Sequence, residues 1–118
     1  MASRRNRLVR YSQLARLDIT ENYNHSTLRW GIRQAEEYSK FLINSAQDVA
    51  DEDVKGRPLE VHPGANFIFV RWKNARYGHN VIFVREPEGI YVLRILHSSM
   101  DVTSQELPAI DTQEEESE

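Results

Sequence analysis

Apolar residues recur at steps of three and four along Leu28, Ile32, Ala35, Tyr38, Leu42, Ala46 and Val49. That spacing puts them on one face of a long amphipathic helix. A shorter stripe, Leu14, Ala15, Ile19 and Tyr23, precedes it, with Asp18, Glu21 and Asn22 between. Ser12 stands where a helix N-cap is needed, and Ser26 or Thr27 can cap the second helix. The polar group Asn24-His25-Ser26 is therefore read as the break between two helices. So short a break predicts an antiparallel helical hairpin, with Trp30 packed inside it. Asp51-Glu52-Asp53 places acid at the negative end of the second helix, which predicts either fraying or a contact with a partner.

The remaining apolar runs have the composition of strands. Arg7–Tyr11 is short, while Asn66–Lys73, His79–Arg85 and Ile90–His97 are rich in β-branched and aromatic residues. Both faces of the last run are apolar, so it belongs in the middle of a sheet. Gly56, Pro58, Pro63 and Gly64 punctuate a loop before the second strand. Glu86-Pro87-Glu88-Gly89 predicts a tight turn, with Gly89 free to take positive φ. The order is β-α-α-β-β-β. The expected fold is α+β, a helical hairpin packed on one face of an antiparallel sheet, with the other face only partly covered and suited to docking.

Charge divides the chain in two. Residues 1–101 hold all 15 bases and 12 acids, a net of +3, while 102–118 hold six acids and no base. Twelve of the bases are Arg, whose planar fork suits carboxylate, phosphate and aromatic partners. The reading is one domain over 1–101 and an acidic, disordered tail over 102–118. At 118 residues the chain is too short for barrels of about 250 residues. It has no cysteine, which excludes disulfides, thiolate nucleophiles and iron–sulfur clusters. The histidines, His25, His62, His79 and His97, show no metal-binding spacing, so no metal or cofactor is expected. No apolar run approaches the roughly 20 residues of a membrane span, and the basic start lacks an apolar segment behind it. The expected location is cytoplasmic.

Several motifs in this order resemble one family. They are Tyr11-Ser12-x-x-Ala15-x-x-Asp18, Tyr23, Ala35-x-x-Tyr38 with Leu42, Gly56-Arg57-Pro58 and Gly78-His79-x-Val81-x-Phe83. The most specific is Ile90-Tyr91-Val92-Leu93-Arg94-Ile95-Leu96-His97-Ser98-Ser99-Met100-Asp101. Across about residues 7–101 the chain resembles the ParE toxins of the ParE/RelE superfamily. The resemblance implies a plasmid-stabilisation type toxin that inhibits DNA gyrase without catalysis of its own. It also implies a ParD-like ribbon-helix-helix antitoxin as partner, and contact with nucleic acid only through that complex. A RelE-like ribonuclease acting on ribosome-bound messenger RNA, and a non-toxic interaction domain of the same fold, are the alternatives.

Arg71, Lys73, Arg76 and Arg85 alternate along the meander with Trp72 and Tyr77 among them, a pattern that suits a solvated sheet face, an acidic partner or stacked bases. Expected partner contacts are Arg71, Trp72, Arg76, Tyr91 and Arg94. A ribonuclease would instead use Arg71, Arg76, Arg94 and His97. Arg94 lies among apolar neighbours, so it meets either an acid on the hairpin or a partner. His97 and Asp101, four residues apart, form either a base with its orienter or a structural cap.

Overall fold

The strand with two apolar faces lies inside the sheet, and the rest of the fold is arranged around it. In the computed structural model, which describes residues 7–73 and 75–108, the elements are β1 (Leu8–Tyr11), α1 (Gln13–Trp30), α2 (Ile32–Ala50), β2 (Arg57–Pro58), β3 (Asn66–Val70), β4 (His79–Glu86) and β5 (Gly89–His97). A short 3₁₀ turn, Val102–Ser104, follows. The strand order is β1-β5-β4-β3-β2. β2 to β5 pair antiparallel, but β1 joins β5 in parallel, so the five-stranded sheet is mixed rather than antiparallel. The parallel pair follows from the topology, because the whole hairpin carries the chain away from β1 before β5 returns beside it.

Alternation along the strands makes two cores. Val81, Phe83, Ile90 and Val92 face the hairpin and meet Ala15, Leu42, Ala46 and Val49. Ile82, Val84, Tyr91, Leu93 and Leu96 face the other way with Ala65. Leu59, Phe67, Val102 and Leu107 pack against this second cluster. The second face is thus partly covered by the chain itself. Val102 and Leu107, from the expected tail, pack against the body there, and 109–118 fall outside the described residues.

The helix break lies at Gly31, not at Asn24-His25-Ser26. Gly31 has φ +95°, a conformation that glycine adopts without steric cost, and its N–H closes α1 on the Thr27 carbonyl. Thr27 does not cap; its hydroxyl donates back to the Tyr23 carbonyl, and the helix runs on. Leu28 and Ile32, read as part of the core stripe, are 87% and 59% exposed. Trp30 is exposed as well, beside the turn rather than packed within the hairpin.

The predicted Ser12 cap forms, and it also reaches the sheet. Its Oγ accepts from Ala15 N and donates to the Leu93 carbonyl. Leu93 is the extra residue of a bulge, since Val92 pairs with Phe83 and Arg94 with Ile82. The bulge frees the amide of Ile95, which donates to Asp18 Oδ2 at 2.9 Å. Arg94 adds two 2.9 Å bonds to the same carboxylate. These hydrogen bonds, opposed by burial, raise the Arg94 guanidinium above its usual value. Of the two readings of Arg94, the acid on the hairpin is the one realised.

The acidic end of α2 is pinned, not frayed. Asp51 is buried and accepts from Arg7 N and Gln47 Nε2. Arg85 donates to the carbonyls of Val49, Val54 and Lys55, supplying the positive charge that α2 lacks in its own last turn.

Candidate functional site

Where the tip of the hairpin overhangs the ends of β4 and β5, the fold leaves a cleft of about 700 Å³. His79 and His97 are among its lining, with Tyr38 from α2. Asn22, His25 and Arg29 come from α1, and Trp72, Arg76 and Tyr77 from the β3–β4 connection. His79 and His97 are register partners across β4 and β5, and their rings meet edge to face at 5.5 Å.

Tyr38 organises the inner wall. Its ring lies 5.6 Å from those of Phe41 and Trp72, and its hydroxyl shares a 2.7 Å hydrogen bond with His79 Nδ1. Burial pushes the Tyr38 phenol up to about 12. Burial, and secondarily the charge of His97, lowers His79 from 6.5 to about 4. His79 is therefore neutral at physiological pH. An imidazole with a lowered folded value takes up its proton more readily in the unfolded chain. Its contribution to stability is complete above pH 6.5 and is lost as pH falls through 6.5 toward 4, to a limit of about 3 kcal/mol. Denaturant unfolding is expected to show about 2 kcal/mol less stability at pH 5 than at pH 8 from this group. His79→Gln should flatten that dependence; an equal pH slope in both proteins would refute the assignment.

His97 and Asp101 do not form a pair. Ser99 N donates to His97 Nδ1 at 3.0 Å, and Ser99 Oγ lies 2.7 Å from the same nitrogen. Nδ1 is thus an acceptor, and the neutral ring carries its proton on Nε2. Asp101 accepts from the amide and hydroxyl of Thr103 and caps the 3₁₀ turn, which lowers its carboxyl below the usual range. Both side chains have local structural roles.

The residues singled out from the sequence are dispersed. Trp72 and Arg76 line the cleft, as does His97. Arg71 is exposed just past the end of β3, and Arg85 is spent on the end of α2. Tyr91 is 2% exposed within the second core, under the Arg10 guanidinium. Arg94 is held by Asp18 and by the Glu106 carbonyl. Sequence reasoning missed His25, Arg29 and Tyr38 as cleft residues. Tyr38 and His79 stand 41 positions apart, and only the packing of α2 on β4 brings them together. The one signal for the hairpin tip was Gly31, whose turn places Arg29 and Trp30 at the mouth.

A helical hairpin on a mixed sheet, with an aromatic and cationic cleft at its tip, defines a small α+β domain. It superposes on a chain of the chromosomal ParDE TA system from P. aeruginosa with a TM-score of 0.63, at 20% identity, over 75% of this chain and 92% of that one. The family model described as the ParE toxin of the type II toxin-antitoxin system, parDE, matches residues 9–102, and the chain belongs to that family. It is 27% identical over 92 residues to Toxin ParE1 of Caulobacter vibrioides, covering 78% of this chain and 90% of that toxin. As the toxin of a type II pair it has an antitoxin partner. Among the described residues, no helix is long and apolar enough to cross a membrane.

Proposed function

We propose that this toxin binds and inhibits DNA gyrase in the cytoplasm, without catalysis of its own. A ParD-like ribbon-helix-helix antitoxin neutralises it. Family membership supports the class of protein. The observation that favours inhibition over RNA cleavage is the state of Arg94. Its guanidinium is bidentate to Asp18 at 2.9 Å, with side chains 12% and 10% exposed. Only Arg76 and His97, of the four side chains a nuclease would use, line the cleft. His97 is oriented by a serine rather than by a carboxylate.

Arg71, Trp72 and Arg76 are the accessible part of the partner-contact set. Tyr91 and Arg94 act from within, by holding the sheet that presents them. The test adds the purified chain to a gyrase supercoiling reaction and to a translating ribosome extract. Inhibited supercoiling with trapped, cleaved DNA is the expected result, and added antitoxin should relieve it. Messenger RNA cut on the ribosome would overturn the reading. Inertness in both assays with retained antitoxin binding would replace it with the interaction-domain alternative.

A further inference from the structure

The rim of the cleft is built from three cation–aromatic pairs. The Arg29 guanidinium lies 5.3 Å from the ring of Trp30, Lys73 Nζ 4.6 Å from Trp72, and the Arg76 guanidinium 5.7 Å from Tyr77. They come from two separate parts of the chain, the hairpin tip and the β3–β4 connection, and converge on one hollow. Its volume of about 700 Å³ falls within the usual range for small-molecule sites. Glu37 is the one carboxylate among the described lining residues, so positive charge prevails at the mouth.

Asn22, one of the lining residues, carries a polar atom that the fold does not use. Its amide nitrogen Nδ2 is buried and has no hydrogen-bond partner. Leaving such a donor unsatisfied is unfavourable, and a turn of the side chain brings it to a ligand in the cleft. Asn22 lines the cleft, and Gln34 brings a second amide to the same lining. A ligand that satisfies them needs hydrogen-bonding edges. One that suits the rim needs a flat π face for Trp and Tyr, and anionic oxygens for Arg and Lys. An acidic peptide offers the anion but not the ring edges.

We infer that the cleft binds a nucleotide, its base stacked on the aromatic rim and edged by Asn22, its phosphates on Arg29, Lys73 and Arg76. A free nucleotide and the end of a single strand offer the same chemistry, base plus phosphate. The site is additional to gyrase inhibition and needs neither gyrase nor antitoxin for its test, so its failure leaves that reading intact.

The chain carries two tryptophans, Trp30 and Trp72, and both line this cleft. Intrinsic fluorescence therefore reports on the site directly. The full chain is titrated at low salt with each of the four ribonucleoside triphosphates and with a short single-stranded oligonucleotide, corrected for absorbance by the ligand. Saturable quenching that weakens with added salt is expected. Saturation by a mononucleotide assigns a free nucleotide as ligand; saturation by the oligonucleotide alone assigns a strand end. Arg76→Ala should weaken binding at least tenfold. Asn22→Asp, which keeps the shape but replaces the amide donor at the base edge by a charged acceptor, should do the same. Arg57→Ala, on the exposed edge strand β2, should leave affinity unchanged, and circular dichroism checks that each variant is folded. Inorganic triphosphate or a glutamate-rich peptide that displaces or matches the nucleotide would reduce the site to a general anion patch and overturn the inference. Absence of saturable quenching up to millimolar nucleotide would overturn it as well.

Discussion

Asp18→Ala is expected to lower the stability of the domain by about 3 kcal/mol, the lower end of the range for removing one partner of a buried ion pair, because this pair is part-buried. One carboxylate takes three hydrogen bonds here: two from the Arg94 side chain and one from the Ile95 amide. Without it, the guanidinium sits largely buried without its counter-charge, and the amide freed by the bulge loses its acceptor. For a domain of ordinary stability, about 5–15 kcal/mol, that loss is a large share of the total. Denaturant unfolding measures it directly. A loss below about 1 kcal/mol would place Asp18–Arg94 with exposed surface pairs and refute this account. In a double-mutant cycle with Arg94→Met, the second change should recover part of the first, because it removes the stranded charge.

Gly89→Ala is expected to be comparably damaging, for a steric reason. A methyl group at Gly89 would overlap the Leu8 carbonyl oxygen and lie 2.6 Å from its carbon. Both atoms belong to the backbone of β1, which pairs with β5 at that register. No side-chain rotation relieves such a contact, so β1 must move away from the edge of the sheet. The cost should reach or exceed about 3 kcal/mol, the upper end for overpacking, and amide exchange should speed up along β1. Gly31→Ala is the informative contrast. It strains a positive φ but meets no atom within 4 Å, so its cost should be the smaller. A Gly89→Ala protein as stable as the original would refute the close approach.

Gly89 also shows what the sequence could and could not disclose. Its place in a tight turn was legible, but the reason for glycine was not. Positive φ occurs at Gly31, Gly56 and Gly64 among the described glycines, whereas Gly89 is fixed by a strand that lies 81 residues earlier in the chain. The same distinction runs through the fold. Ser12 as a cap and β5 as an inner strand are local facts, written in side-chain type and alternation. The parallel β1–β5 pair, the Arg85 guanidinium at the end of α2 and the second core's cover by Val102 and Leu107 are long-range facts, with no periodicity to announce them. The break between the helices was misplaced because Leu28 and Ile32 fit the apolar register while pointing into solvent. In the cleft, Trp72 and Arg76 stood out by composition. Tyr38 and His79 did not, since each reads alone as an ordinary core residue.

The link from Ser12 and Asp18 to the bulge in β5 spans 76 to 81 positions. A chain emerging from the ribosome makes its hairpin early and β2–β4 next, yet the inner strand that lies between β1 and β4 under the hairpin, β5, is synthesised last. β1 has no neighbour in the sheet until then. The protein's birth is therefore abrupt. A nascent or prematurely terminated chain that stops short of β5 holds the hairpin and the β2–β4 strands without the inner strand that joins them, and the armed toxin is completed only in a late step.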